Sequence, residues 1–207
     1  MTNDVRGRPR IRQDAEILVA ALHMFAAHGY AGMSVRALNT ELGLSHGTVN
    51  QRFVSKDQLF RAAIDHGFAT FLADIATERA KRPASTDELD ELHENIRAFL
   101  IATIRRPELG RLMNQEGLHQ SDRLDYIVRT VLDPGFGPFG TSVRRLVAAG
   151  RIHPVTTRAV FFLVAHGAEA PFTLTALSAA FDPDDGPLDP EAHADDMAAL
   201  LIRSIRI

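Results

Sequence analysis

The sequence predicts an all-α fold, with an N-terminal three-helix unit built around a helix-turn-helix and a larger C-terminal helical bundle. Three observations lead there. Apolar residues recur three and four positions apart through most of the chain, and nowhere alternate as a half-buried strand would. Glycine, proline and short polar residues fall at the ends of these stretches, where helices start and stop. One stretch, Ser34 to Leu59, sets two short helical patterns around a glycine-containing turn.

Residues 1–10, MTNDVRGRPR, read as a flexible basic arm, because Gly7 and Pro9 interrupt any periodicity. The first helix follows, with Ile11, Ala15, Leu18, Leu22 and Phe25 on one face, and ends at Gly29. Tyr30 to Met33 connect it to the next. There, Val35, Leu38 and Leu42 mark a second buried face, and Gly43 closes it. Ser45 is the expected N-cap of a short helix over about 46–52, anchored inward by Val49 and Phe53, with Leu44 below the turn. Two short helices joined this way form a helix-turn-helix. That motif places its second helix in the major groove of DNA.

The outward residues of the second helix suit that task. With Val49 and Phe53 facing inward, Gly47 and Gln51 face outward, flanked by Thr48 and Asn50. Asn50 and Gln51 are amides of the kind that pair twice with adenine, and the Thr48 methyl suits a thymine methyl. Gly47 lets the backbone approach a surface closely. Ser55-x-x-Gln58 is a capping box opening a third helix. Lys56 sits in its first turn, where a cation opposes the helix dipole unless an anion such as phosphate is near. Taken alone, Lys56 reads as a solvated surface lysine. Arg6, Arg8 and Arg10 either track phosphates and enter a minor groove or form a solubilising tail.

Ser34-Val35-Arg36, Gly43-Leu44-Ser45, Gly47-Thr48-Val49, Phe53 and Ser55-Lys56-Asp57-x-Leu59 together resemble the DNA-binding domain of the TetR family of bacterial transcriptional regulators. The motif resemblance covers about the first quarter of the chain; the remainder follows the family in helical layout and length. It implies that Ser34, Arg36, Ser45, His46, Gly47, Thr48, Asn50, Gln51, Arg52 and Lys56 form the DNA-binding surface. The family pattern has a tyrosine where this chain has Asn50, which is able to read a base edge, and often His-Phe where it has Arg52-Phe53.

Composition agrees. The 207 residues are ample for a buried core, and 45% apolar with 24% charged residues is ordinary for a soluble protein. With no cysteine, disulfides, zinc–thiolate sites and cysteine catalysis are excluded. The charged N-terminus argues against a signal peptide, and Ala159 to Ala165, the most apolar run, is too short to span a bilayer. No membrane association is expected, and the expected location is cytoplasmic. The net charge is −3, yet residues 1–60 hold seven basic and five acidic residues, a net +2, leaving −5 for the remainder. A basic head on an acidic body suits a DNA-binding domain joined to one that does not bind DNA.

The domain division expected is therefore an arm at 1–10, a helix-turn-helix domain at 11–56, and a helical effector-binding and dimerisation domain at 57–207. The helix from Lys56 continues through Ile64, Phe68, Phe71 and Ile75 to about Arg79, linking the two, and Pro83 breaks it. The Phe68/Phe71 stripe reads first as core packing. Ser85-x-x-Glu88 opens a helix bearing Leu89, Leu92, Ile96 and Phe99 that ends at Pro107. Shorter helices follow at Leu109–Met113 and from Asp122. Asp133 to Gly140, rich in glycine and proline, reads as a loop; Val143 to Ala149 resumes the helix before Gly150.

Two final helices are expected. One runs from about Val155 to Phe181, apolar all round, kinked at Pro171 and therefore covered on most sides. Asp182 to Asp189 is an acidic loop. The other runs from about Pro190 to Arg206, with Ala194, Met197, Leu201 and Ile205 on one face. The resemblance implies that these two helices pair with their counterparts in a homodimer; the alternative is a buried intramolecular hairpin.

No catalytic motif or metal-ligand spacing is present, so no enzyme, metal or cofactor is expected. His166 lies on the apolar helix three residues from Glu169, either as a pocket group for a polar ligand or as a core histidine. The reading is a homodimeric, site-specific repressor of double-stranded DNA at a palindromic operator, released by a small, largely apolar effector. Phe99, Met113, Tyr126, Phe161 and His166 are the expected pocket residues, being bulky or polar groups on apolar faces. The alternative is a helical ligand-binding or protein-interaction dimer without specific DNA recognition. An all-α enzyme has no residue constellation behind it.

Overall fold

The computed structural model describes residues 13–207, so the predicted arm and Ile11 lie outside the described residues. The chain divides into two units, the first ending at Gly67 and the second running from Phe68 to Ile207. Among the described residues every extended element is helical, and an isolated bridge pairs Ile152 with Arg206. No single helix among them is long and apolar enough to cross a membrane.

The first unit holds α1 (Asp14–Gly32), α2 (Val35–Glu41), α3 (Thr48–Phe53) and the start of α4 (Lys56–Ala80). Gly29 breaks α1 with φ 68°, where the spacing predicted its end. The buried face of α1 is Ile17, Ala21, Leu22, Met24 and Phe25; Ala15 is exposed and Leu18 only half-buried, so the expected stripe is rotated. The rotation centres Phe25, whose ring stacks on Tyr30 at 5.9 Å and meets Phe60 edge-on at 5.1 Å. Leu38, Val49, Leu59, Phe60 and Ile64 complete this core.

The third helix begins later than predicted. Ser45 and His46 lie in the turn, and Gly47, at φ 87°, precedes the first helical residue, Thr48. Ser45 is therefore not the N-cap. The reason is non-local: Asn39 on α2 accepts the Val49 N–H at Oδ1 (3.3 Å), doing the work a local cap would do. The predicted cap of α4 is found, with Ser55 Oγ accepting the Gln58 N–H at 3.1 Å.

In the second unit, α5 (Glu88–Arg105) is capped by Asp87 rather than Ser85. Asp87 Oδ1 accepts the N–H groups of Leu89 (2.8 Å) and Asp90 (3.3 Å), while Ser85 Oγ accepts that of Asp87. A carboxylate closer to the helix start outcompetes the hydroxyl for the orphan donors. Next come α6 (Pro107–Glu116) and α7 (Asp122–Ile127). The predicted loop at 133–140 is instead the first half of α8 (Asp133–Ala148). A π-helical segment, Val128–Leu132, leads directly into Pro134 and widens the turn where a proline ring would otherwise meet the carbonyl four residues back. Packing of Phe136 and Phe139 then overrides the weak helix propensity of the prolines and glycines around them.

The long helix predicted at 155–181 is broken into pieces: α9 (Thr157–Phe162), a π-helical segment (Leu163–Ala168), α10 (Ala170–Thr173), α11 (Thr175–Ser178) and a 3₁₀ turn (Ala179–Phe181). Pro171 sits in the first turn of α10, where its missing N–H is harmless, and the axis bends by 76° around Leu174. Within the single chain its side chains are not all covered: Phe162 is 54%, Leu177 61% and Phe181 58% exposed. The predicted acidic loop contains one turn, α12 (Asp182–Asp185), and α13 (Pro190–Ile205) ends the chain.

The core of this unit lies where α5 meets α8 and α13. Leu92, Ile96 and Leu100 pack with Val143 and Leu146 from α8 and Ala194, Ala198, Leu201 and Ile205 from α13. Met197 is only partly buried. Arg97, nearly buried, donates to Asp195 at 2.6 Å and holds α5 to α13 at the polar edge of that core.

Candidate nucleic-acid interface and ligand cavity

The surface of the helix-turn-helix is built on Asn39. Its Nδ2 donates to Val35 O at 3.0 Å and its Oδ1 accepts from Val49, so one buried amide joins α2 to the first turn of α3. Val49 is buried beneath it, which turns Asn50 and Gln51 outward; both are exposed. Ser45 Oγ and Thr48 Oγ1 lie 2.7 Å apart, and Thr48 donates to Ser45 O, so this pair stiffens the turn. His46 is exposed in the same turn, and Gly47 adopts a left-handed conformation that a side chain there would strain.

The remaining predicted positions are placed as follows. Ser34 caps α2, its Oγ accepting the Ala37 N–H at 3.3 Å, and Arg36, two residues on, is exposed. Arg52 is ion-paired with Asp14 of α1 at 2.7 Å. Lys56 donates to Ala31 O at 3.3 Å and lies 4.9 Å above the Tyr30 ring. Thus Ser34, Arg36, Ser45, His46, Asn50 and Gln51 are each exposed on the first unit, while Arg52 and Lys56 are tied to its scaffold. Between α3 and α4, Val54 has φ 60° and ψ −47°, and Ser55 N donates to Phe53 O across it, a strained γ-turn carrying an exposed valine.

The second unit contains two adjoining cavities that share Phe68, Phe71, Phe99, Phe136 and Phe161. The larger is about 430 Å³, within the range of small-molecule sites, and the smaller about 270 Å³. Aromatic rings run along them edge to face: Phe71 to Phe99 (5.5 Å), Phe99 to Phe136 (5.5 Å) and Phe136 to Phe161 (5.0 Å). His166 stacks on Phe162 at 4.9 Å. Of the five predicted pocket residues, Phe99, Met113, Phe161 and His166 line the larger cavity; Tyr126 lines neither.

The cavities also take in residues outside the expected pocket: Phe136 lies in the expected loop, Phe68 and Phe71 in the expected core stripe, and Glu169 beside His166. Glu169 is buried, 3% exposed, on the cavity wall. Burial pushes its carboxyl above the usual range, only partly offset by the Thr173 hydrogen bond and by the charges of His166 and Arg111. Thr173 Oγ1 donates to Oε1 at 2.5 Å. A Cβ at Gly110 would stand 2.6 Å from the same oxygen, so only glycine leaves room for the carboxylate there. A lone glutamate inside the apolar run Val160–Phe172 was the available signal.

Comparison with known proteins bears on the first unit above all. Residues 17–63 match the family model described as bacterial regulatory proteins, tetR family. The chain is 34% identical over 94 residues to the HTH-type transcriptional repressor AcnR of Corynebacterium efficiens, a match covering 45% of this chain and 44% of that one. It is 27% identical over 145 residues to the DNA-binding transcriptional repressor TetR of Mycobacteroides abscessus, covering 70% and 72%. The chain thus spans less than half the length of the first of these repressors. A crystal structure of a tetR-family bacterial regulatory protein from Rhodococcus RHA1 superposes with a TM-score of 0.65 at 21% identity, over 95% of this chain and 98% of that one. That likeness shows a shared fold.

Proposed function

We propose, from the match of residues 17–63 to the family model of bacterial regulatory proteins of the tetR family, that the chain is a dimeric transcriptional repressor. The observation that carries the reading is the exposed pair Asn50 and Gln51 on a short helix anchored by buried Val49 and braced by Asn39. Two amides on a helix rigidly presented to solvent suit base-edge reading in the major groove. Ser34, Arg36, Ser45, His46, Gly47 and Thr48 surround them as phosphate and backbone contacts, and Arg52 and Lys56 contribute charge from the scaffold. We assign residues 1–10 to an arm, 11–56 to DNA binding, and 57–207 to effector binding and dimerisation.

Dimerisation is assigned to the last helices. Phe162, Leu163, Leu174, Leu177, Phe181 and Leu200 are all exposed there, large apolar side chains of the kind an interface would cover. A two-fold dimer reads a palindromic operator, so that is the expected site. The aromatic cavity supports a small, largely apolar effector as the releasing signal. Phe68 and Phe71 line it and belong to α4, the helix whose first turn begins at Lys56, so an occupant that displaces them acts on the helix following the DNA-reading motif. A regulator of chromosomal DNA acts in the cytoplasm and needs no catalytic step.

A second reading, an interaction or ligand-binding dimer without specific DNA recognition, draws support from Arg52 and Lys56 being tied to Asp14 and Ala31. Selection from a random duplex-DNA pool at physiological salt separates the two. Enrichment of a palindrome, lost when Asn50 and Gln51 are both changed to alanine, is the expected result. Binding with a steep salt dependence and no preferred site would favour the second reading instead.

A further inference from the structure

We propose that the cavity of the second unit takes an apolar ligand bearing a protonated amine, its ammonium group against the Glu169 carboxylate and its hydrocarbon body among Phe99, Phe136, Phe161 and Met113. The inference rests on the reading of this cavity as the effector site and gives that effector a chemical class.

The argument begins with what the carboxylate lacks. Among the described residues Glu169 receives a hydrogen bond from Thr173 at Oε1, and its residue surface is 3% exposed. A carboxylate can accept about four hydrogen bonds, so most of its capacity is left to whatever shares the cavity. In an open cavity water is able to reach it. An apolar occupant would expel that water and return nothing, at the cost of a buried polar group without a partner. An anionic occupant would add like-charge repulsion. A cation supplies both donors and the opposite charge, and in an apolar wall that attraction is screened little.

The rest of the wall favours the same class. Phe99, Phe136 and Phe161 present ring faces and edges within one continuous cluster, and a ring face attracts a cation through its quadrupole. The nearby basic groups do not fill the role already. His166 is stacked on Phe162, and Arg111 is exposed to solvent on α6; both act on Glu169 only through their charge, and burial still outweighs them. Gly110 matters here too. By having no side chain it leaves the carboxylate against the backbone of α6, at the wall rather than across the cavity, so the space beside it stays open.

The test is calorimetric titration of the full-length protein, without DNA, with three probes of matched shape: 4-phenylbutylamine, pentylbenzene and 5-phenylpentanoate. The amine should bind about tenfold or more tightly than either of the others, as expected for one desolvated charge pair. Glu169→Gln should remove that preference while leaving pentylbenzene binding unchanged, with folding checked by circular dichroism. Equal binding of amine and pentylbenzene to the wild type, tighter binding of the carboxylate, or an amine preference that survives Glu169→Gln would overturn the proposal. So would no binding by any probe, and the DNA-pool selection, which needs no ligand, would still stand or fall separately.

Discussion

Asn39 and Val49 are joined by a hydrogen bond from the Val49 N–H to Asn39 Oδ1, 3.3 Å long and buried, which sets α3 in place from a residue on α2. The same amide holds Val35 O, so its two ends are both in use. The helix carrying Asn50 and Gln51 is only six residues long and has no side-chain cap of its own. Its orientation therefore depends on this contact.

Asn39→Leu should cost about 1–3 kcal/mol, the penalty of leaving a buried N–H without a partner. Urea unfolding of the purified protein measures it. Operator affinity at the same temperature should fall further than in the exposed variant Thr40→Ala, because α3 loses its brace while Thr40 makes only a local bond to Arg36 O.

Val54→Gly should stabilise the protein by about 1 kcal/mol, the lower end of what a disfavoured backbone conformation costs. Val54 is exposed and gives up little burial on losing its side chain, while its positive φ suits glycine. A higher urea midpoint with unchanged slope is the expected observation. A lower midpoint would mean that the valine contributes contacts outweighing its strain.

Glu169 gives the second unit a pH dependence of definite sign. Its folded pKa is raised by burial, so between the unfolded and folded values the native chain holds the proton more tightly. Its contribution to stability is fully present below the unfolded value and is lost as pH rises through the folded one. Glu78, Asp87, Glu88 and Glu91 are shifted the other way and oppose it, so the informative quantity is the difference between wild type and Glu169→Gln. That difference should favour the variant increasingly as pH rises above about 4.5. Denaturant titrations across pH 4–8 with no such trend would mean that the carboxylate is solvated after all.

Leu177 and Phe181 should be needed for assembly. Changing both to aspartate should leave the monomer folded, since neither is buried in it, and shift sedimentation velocity from dimer to monomer. Affinity for a palindromic operator should drop at least tenfold, while a single half-site is bound as before. An unchanged dimer would move the interface elsewhere on the second unit.

Much of the first unit was legible because its signals are local. Val35, Leu38 and Leu42 share a face by spacing alone, Gly43 adopts positive φ where the pattern ends, and Ser55 caps α4 three residues before Gln58. The same local reading failed where distant residues compete. Ser45 lost its cap role because Asn39, ten residues before Val49, reaches it first. Ser85 lost its own to Asp87 within two residues, a choice between neighbours that spacing does not rank.

By itself, the sequence determined the helical class, the helix-turn-helix and the outward placing of Asn50 and Gln51, since each follows from periodicity along one helix and its immediate flanks. Only the tertiary structure decided that Asp133–Gly140 is helical, because Phe136 gains its contacts from Phe99 and Phe161, far away in the chain. It also decided that Glu169 faces a cavity and lies against Gly110, 59 positions earlier (169 − 110). Burial and proximity of that kind arise from how helices pack, and no single stretch of sequence carries them.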